Sequence, residues 1–107
     1  PGKFYDLWIR KVWKNKQPRG LGLELEFRER EQLGRFHTQI LPLPVRPEGL
    51  TALFFRACGM EPAVGQKISP TQTIGRRVGA SFVMDEVSGK WVIVGFKAME
   101  NEDDSVE

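Results

Sequence analysis

Two tryptophans stand among positive charges near the start of the chain, in the stretch FYDLWIRKVWKNKQPRG. Trp8 and Trp13 are both flanked by cations, which in this stretch are Arg10, Lys11, Lys14, Lys16 and Arg19. Flat aromatic rings stack on the bases of single-stranded nucleic acid, and neighbouring cations bind its phosphates. These residue types predict a site for single-stranded nucleic acid, provided that both indoles point to solvent.

The sequence lacks the residues that a catalytic or metal-binding site needs. Cys58 is the only cysteine and His37 the only histidine, which excludes a Cys/His zinc site and a supported Ser-His or Cys-His triad. The stretch GLGLE lacks the third glycine and the helix of a dinucleotide-binding loop, and no GKS or GKT completes a phosphate loop. We therefore expect a protein that is not an enzyme and that holds no metal and no cofactor.

The formal net charge of +2 conceals an uneven distribution. Residues 1–99 carry all 16 Lys and Arg and nine of the 14 acids, a balance of +7, while residues 100–107 carry the other five acids. The basic part favours an anionic partner, and the acidic part is predicted to be a disordered tail. No apolar run approaches the roughly 20 residues that cross a bilayer, so we expect a cytoplasmic protein without membrane contact.

The first predicted strand decides where the tryptophans point. At its start Leu7 and Ile9 alternate with Trp8, as in a strand with one buried face. The next aliphatic residue is Val12, three positions after Ile9, so the buried face continues only if the strand bulges between them. Such a bulge returns Trp13 to the solvent side, near Trp8.

Two further strands extend the predicted sheet. LGLELEF alternates strictly, with its leucines and Phe27 inward and its two glutamates, Glu24 and Glu26, outward as surface charges. RFHTQIL is the third strand, and PLPVRP ends this part of the sheet. On the third strand we expect Arg35 and His37 to continue the outer surface. The whole outward set there is Arg35, His37 and Gln39, alternating with Phe36, Thr38 and Ile40.

One helix and one hairpin are predicted in the second half. The helix begins near Pro47 and stops at Gly59, and its apolar positions at spacings of three and four are Leu50, Leu53, Phe54 and Ala57. Residues 60–73 are predicted to form a long loop. GRRVGASFVMDEVSGKWVIVGF then predicts a hairpin. The hairpin adds Arg76 and Arg77 to the predicted surface, and Trp91 is either a third exposed aromatic side chain or part of the core.

Three strands, one helix and two strands, in this order, predict an all-β fold with one helix. An OB-type five-stranded Greek-key barrel has its helix at this position, and Gly22, Gly34, Gly79 and Gly95 are candidates for the bends that close it. An SH3-like barrel with an inserted helix and an open α+β sheet fit the same order. The predicted domain is residues 1–99, followed by the acidic tail of residues 100–107.

The same segments resemble a known family. The order YDLWI, LGLELEF, GRF, EGLTALFFRACGM and IGRRVGASFVMDEVSGKWVIVGF is similar to that of small phage and prophage proteins catalogued as a domain of unknown function. The resemblance implies an OB fold, single-stranded-DNA binding, and a role in phage or mobile-element replication or recombination. If the protein is phage-encoded, it implies the cytoplasm of a bacterial host. Acidic tails of single-stranded-DNA-binding proteins recruit replication or recombination partners and compete with DNA, which predicts a role for residues 100–107.

Two other interpretations fit the same residues. The tryptophans would also serve as hot spots of a protein-interaction adaptor, and the same surface would also bind RNA. A steep salt dependence of binding separates a nucleic-acid binder from an adaptor. The predicted nucleic-acid-binding residues are Trp8, Arg10, Lys11, Trp13, Lys14, Lys16, Arg19, Arg35, His37, Arg76, Arg77 and Trp91.

Overall fold

The computed structural model describes residues 2–31, 33–62 and 69–99. The elements in these ranges are β1 (Tyr5–Lys16), β2 (Arg19–Glu31), β3 (Gly34–Pro42), α1 (Leu50–Ala57), a short 3-10 helix (Pro70–Thr73), β4 (Arg77–Asp85) and β5 (Lys90–Ala98). The predicted order of three strands, a helix and two strands is confirmed. The predicted tail, residues 100–107, lies outside the described residues. No helix in the described part of the chain is long and apolar enough to cross a membrane.

The five strands form one antiparallel sheet in the order β3-β2-β1-β4-β5. The fold is all-β and OB-like, and its sheet stays open between the edge strands β3 and β5. At this open edge the side chain of Gln39 bonds to the backbone of β5: its Nε2 donates to the Ile93 carbonyl (3.3 Å) and its Oε1 accepts the Ile93 N–H (2.8 Å). The Gln39 side-chain amide therefore replaces the pair of backbone hydrogen bonds that a neighbouring strand would make with Ile93.

The core lies inside the curled sheet and under α1. The alternation predicted for β2 is confirmed, because Leu21, Leu23, Leu25 and Phe27 are all buried. Leu7 and Ile9 of β1 are fully buried opposite them. Fully burying one such side chain contributes about 1.5–3 kcal/mol, so this alternation fixes which face of each strand turns inward.

Helix α1 is shorter than predicted and is buried on more than one side. It packs on β5 through Phe54 and Phe96, whose ring centroids are 5.3 Å apart. It also packs on β3, where Thr51 Oγ1 donates to the Pro42 carbonyl at 2.6 Å. Because these two contacts fix the orientation of the helix, Phe55 and Thr51 are buried, and Leu53, which we expected in the core, is exposed.

The glycines proposed for bends serve two different purposes. Gly34 has φ +108° in the turn between β2 and β3, a conformation that other residues rarely adopt. Gly95 pairs with Ser81 where the register of β4 against β5 shifts. Gly22 and Gly79 instead make room for side chains, because a Cβ at either position would meet a side chain of another segment.

Candidate nucleic-acid interface

A bulge in β1 turns both tryptophans to the outer face of the sheet. The register of β1 against β2 shifts between Ile9 and Lys11, which makes Arg10 the extra residue. Without that residue Trp13 would share the buried face with Ile9, since side chains alternate along a strand. With it, Trp13 lies on the outer face with Trp8, so the predicted bulge and its consequence are confirmed.

Trp13 is held flat against the neighbouring strand. A Cβ at Gly22 would overlap three atoms of the indole, Cε2, Cζ2 and Nε1, which places the ring directly over the glycine. The indole Nε1 donates to Asn15 Oδ1 at 3.3 Å, and Asn15 Nδ2 donates to the Pro18 carbonyl at 2.7 Å. Trp13 is 38% exposed, so the ring is fixed on one side and reaches solvent on the other.

Four cations lie near Trp13 along β1 and at the start of β2. All four are exposed, and none of them forms an ion pair within the described part of the chain. Lys11 lies on the same side of β1 as Trp13, and Lys14 alternates to the other side. We call this set the Trp13 region, and its members are Trp13, Lys11, Lys14, Lys16 and Arg19. Glu24 lies opposite Lys11 but forms no ion pair with it, so the four charges are available to phosphates.

Trp8 has different surroundings. The guanidinium carbons of Arg10 and Arg77 lie 5.6 Å and 5.9 Å from the centroid of the Trp8 ring. Arg77 binds Asp6 through two hydrogen bonds, of 2.6 Å and 3.2 Å. A base can stack on a covered face of Trp8 only by displacing a guanidinium group. We call this set the Trp8 region, and its members are Trp8, Asp6, Arg10, Glu26, Arg28, Arg35 and Arg77.

Two carboxylates compensate the arginines of the Trp8 region. Asp6 also accepts a bond from Arg28 at 3.1 Å, and Glu26 pairs with Arg10 at 2.7 Å and with Arg35 at 3.4 Å. The hydrogen bond from Arg10 holds the pKa of Glu26 below the ordinary value for a glutamate, so this carboxylate stays ionised at neutral pH. Glu26 of β2 and Asp6 of β1 therefore neutralise cations that the sequence predicted to be available for phosphates, namely Arg10, Arg35 and Arg77.

Strand β3 presents the opposite face from the one predicted. His37 pairs directly with Leu25, so both side chains point to the buried side of the sheet. The expectation that His37 and Gln39 extend the outer surface is therefore wrong. Phe36 lies on the outer face instead and is exposed, with the Arg35 guanidinium 5.2 Å from its ring centroid.

His37 belongs to the open edge between β3 and β5. Its Nε2 lies 2.8 Å from Oε1 of Gln39, which also accepts the Ile93 N–H. Because this amide oxygen can only accept, Nε2 carries the proton of the neutral ring. Burial lowers the pKa of His37 and outweighs the opposing effect of the bond to Gln39, so the ring is neutral at pH 7. His37 packs against Phe82 with ring centroids 4.9 Å apart, which gives it a structural role.

The other predicted residues lie elsewhere. Trp91 is 40% exposed and lies opposite Met84 in the β4–β5 hairpin, so the exposed alternative for Trp91 is the correct one. Arg76 and Arg77 line a cleft at the end of α1. The structure thus divides the predicted residues among the Trp13 region, the Trp8 region, this cleft, the β3–β5 edge and the β4–β5 hairpin.

Two residues that position Trp13 were not predicted as site residues. Gly22 provides the space for the indole, and Asn15 links the indole to the β1–β2 turn. The signal for Gly22 was present in the sequence: glycine is unfavourable inside a strand, and in LGLELEF it occupies an outward position. Such a glycine indicates close approach by a group from a neighbouring strand.

Comparison with known proteins assigns no family. No family model, no curated protein and no solved structure matches the chain.

Proposed function

We propose that this protein binds single-stranded DNA without sequence preference and without catalysis, through the Trp13 region. The observation that carries the proposal is the Trp13 indole lying over Gly22, with a side open to solvent, in a stretch whose four cations form no ion pair among the described residues. Stacking of a base on such a ring contributes about 1–3 kcal/mol and tolerates any base. The resemblance to phage and prophage proteins supports a role in replication or recombination, with residues 100–107 as the segment that contacts partner proteins.

The geometry supports a simple mode of binding. Trp13 cannot rotate freely, because Gly22 packs under it and Asn15 holds its Nε1, so little conformational entropy is lost when a base stacks. Lys11 lies on the same face of β1 as Trp13 and would contact a phosphate beside the stacked base, whereas Lys14 points to the opposite face. Phe36 is a second exposed ring on the outer face, two strands away from β1.

The test is a titration of tryptophan fluorescence with a single-stranded oligonucleotide at two salt concentrations. We expect quenching of the emission and a fall in affinity of roughly 0.7 log unit per log unit of salt for each phosphate contact. An RNA strand of the same sequence tests the preference for DNA. Unchanged emission at saturation, or an affinity that does not respond to salt, contradicts the proposal.

A protein-interaction adaptor is the second candidate, favoured by the β4–β5 hairpin. Met84 and Trp91 pair across its two strands, and both are exposed, as are Val83 and Val94. Exposed apolar side chains grouped in this way are typical of protein-binding surfaces. Trp91→Ala separates the two candidates, since it should weaken protein binding and leave the affinity for an oligonucleotide unchanged.

A further inference from the structure

A cleft of about 620 Å³ lies at the end of α1, bordered by β1, β4 and the end of β5. Four arginines and one aromatic ring dominate its lining, and the remaining lining residues are small or apolar. None of the described residues that line it is acidic. We call it the arginine cleft, defined by Trp8, Arg28, Arg56, Arg76 and Arg77.

The arginines of this cleft are held in place before any ligand binds. Arg76 Nη1 donates to the Cys58 carbonyl at 2.8 Å, and its Nε donates to the Gln72 carbonyl at 3.1 Å. Arg56 Nη1 donates to the Pro47 carbonyl at 3.0 Å. A guanidinium group has five N–H donors, so two bonds leave further donors on Arg76 for an anion. Fixed side chains also lose less entropy when a ligand arrives.

The charges around the cleft do not cancel. Asp6 pairs with Arg28 and Arg77, and Glu61 pairs with Arg56. The two hydrogen bonds of Arg76 go to neutral carbonyl groups, so its charge is the least compensated. A phosphomonoester carries about −1.5 to −2 at pH 7, so it would be attracted to the uncompensated charge of Arg76. Guanidinium groups bind phosphate oxygens in pairs, with two parallel hydrogen bonds.

Two further features favour a nucleotide over a simple anion. Trp8 lines the cleft, so part of its side chain reaches this space although Arg10 and Arg77 lie over its ring. The volume also falls within the range of about 300–1,000 Å³ typical of small-molecule sites. Burial raises the pKa of the Cys58 thiol to about 12, despite the nearby Arg76, so no thiolate competes with a phosphate at the end of α1.

We propose that the arginine cleft binds the phosphomonoester of a nucleotide, with the phosphate on Arg76 and the nucleoside against Trp8. Two sources supply this chemistry, a free nucleoside monophosphate and the 5′-phosphorylated end of a single strand. The second source rests on the proposed function, since it requires that the protein bind single strands. The cleft is separate from the Trp13 region, because no member of that region lines it.

The first experiment compares deoxyadenosine 5′-monophosphate with deoxyadenosine by isothermal titration calorimetry on the full chain. The nucleotide should bind at least tenfold more tightly than the nucleoside. Its affinity should fall between pH 7.5 and pH 5.5, because the phosphate loses its second charge with a pKa of about 6. Equal binding of the two compounds, or no binding of either, overturns the proposal.

The second experiment uses arginine variants that fold, as judged by an unchanged melting temperature. Arg76→Gln should lower the affinity for the nucleotide at least tenfold. Because Arg76 also holds the Cys58 carbonyl, Arg56→Gln provides an independent variant with a partly exposed side chain and should lower the affinity severalfold. Arg46→Gln, an exposed arginine outside the cleft, is the matched control and should have no effect. Full affinity in both cleft variants, or an equal loss in the control, overturns the proposal.

The third experiment identifies the source of the phosphate. An oligonucleotide with a 5′-phosphate should bind more tightly than its 5′-hydroxyl form, and Arg76→Gln should abolish the difference while Trp13→Ala preserves it. Equal binding of the two forms, with the nucleotide still bound, assigns the cleft to free nucleotides. Nucleotide binding without oligonucleotide binding refutes only the proposed function. Oligonucleotide binding without any preference for deoxyadenosine 5′-monophosphate over deoxyadenosine refutes only this inference.

Discussion

The Trp13 and Trp8 regions have similar compositions, but their cations differ in pairing: those of the Trp8 region form ion pairs, and those of the Trp13 region form none among the described residues. Both place a tryptophan among cations on the outer face of β1. In the Trp8 region Asp6 and Glu26 take up the arginines in ion pairs as short as 2.6 Å and 2.7 Å. In the Trp13 region the cations have no ion pair among the described residues. A basic and aromatic stretch therefore becomes a candidate binding surface only where the fold supplies no acid to it.

The strand register explains the difference. Trp8 lies in a row with Glu26 of β2 and Arg77 of β4, whereas Trp13 lies opposite Gly22. Strand β4 pairs with β1 only along Tyr5–Trp8. The far end of β1 therefore lies beyond the arginines of β4, and Glu24, although it lies opposite Lys11, forms no ion pair there among the described residues.

The largest expected effect separates the two tryptophans. Trp13→Ala should weaken single-strand binding by about 1–3 kcal/mol, since it removes a stacking platform. Trp8→Ala should weaken it by less than about 0.5 kcal/mol, because cations already cover the ring and a surface change of this kind is small. Fluorescence anisotropy with a labelled oligonucleotide measures both. A larger loss for Trp8→Ala would reverse the assignment of the two regions.

A glycine substitution tests the geometry of the Trp13 region without removing the indole. Gly22→Ala places a methyl group where the Trp13 ring lies, so the ring must leave the sheet. We expect a loss of binding of about 1–2 kcal/mol together with a shift in tryptophan emission. Gly49→Ala is the control, because its Cβ meets only ordinary contacts. Unchanged binding in Gly22→Ala would show that the position of the ring is unimportant.

Removing an acid should make the Trp8 region resemble the Trp13 region. Asp6→Asn takes the charged acceptor away from Arg77 and Arg28 and should lower stability by about 1–2 kcal/mol, measured by urea unfolding. The same change releases Arg77 from its ion pair, so single-strand affinity at low salt should rise and its salt dependence should steepen. Lower stability with unchanged affinity would mean that the strand does not reach this region.

The stability of the protein at acid pH should distinguish the two regions, because Glu26 belongs to the Trp8 region only. Its pKa in the folded protein is held below the ordinary value of 4.5, so its stabilising contribution is complete above pH 4.5 and is lost as the pH falls through the lowered pKa. In Glu26→Gln the melting temperature should therefore fall less steeply below pH 4.5 than in the parent protein. Lys11→Gln, in the Trp13 region, should follow the parent curve, and identical curves for all three proteins contradict the prediction.

The smallest effect concerns residues 100–107, whose five acids follow the last described residue. If these acids compete with DNA for the unpaired cations, truncation after Met99 should tighten single-strand binding, most clearly at low salt where screening is weak. The gain should disappear when Lys14 and Lys16 are both changed to Gln. Equal or weaker affinity of the truncated protein at low salt opposes this role.

The alternation of apolar and polar residues along the chain predicts much of the fold. The inward leucines of β2, the bulge after Ile9 and the outward positions of Trp8 and Trp13 were all predictable, because side chains alternate along a strand whatever its partners. The face of β3 was not predictable in this way. His37 is polar but buried, because Gln39 and the open sheet edge satisfy its hydrogen bond.

The sequence by itself determined which residues form strands and which side of β1 and β2 faces solvent, since these depend on neighbours along the chain. Only the tertiary structure decided which cations are compensated. Asp6 and Arg77 are 71 residues apart and Arg10 and Glu26 are 16 apart, and each pair meets through strand register. The arginine cleft joins residues from β1, β2, α1 and β4 in the same way. Charge pairing depends on distance in space, so the availability of a basic residue is a property of the folded chain.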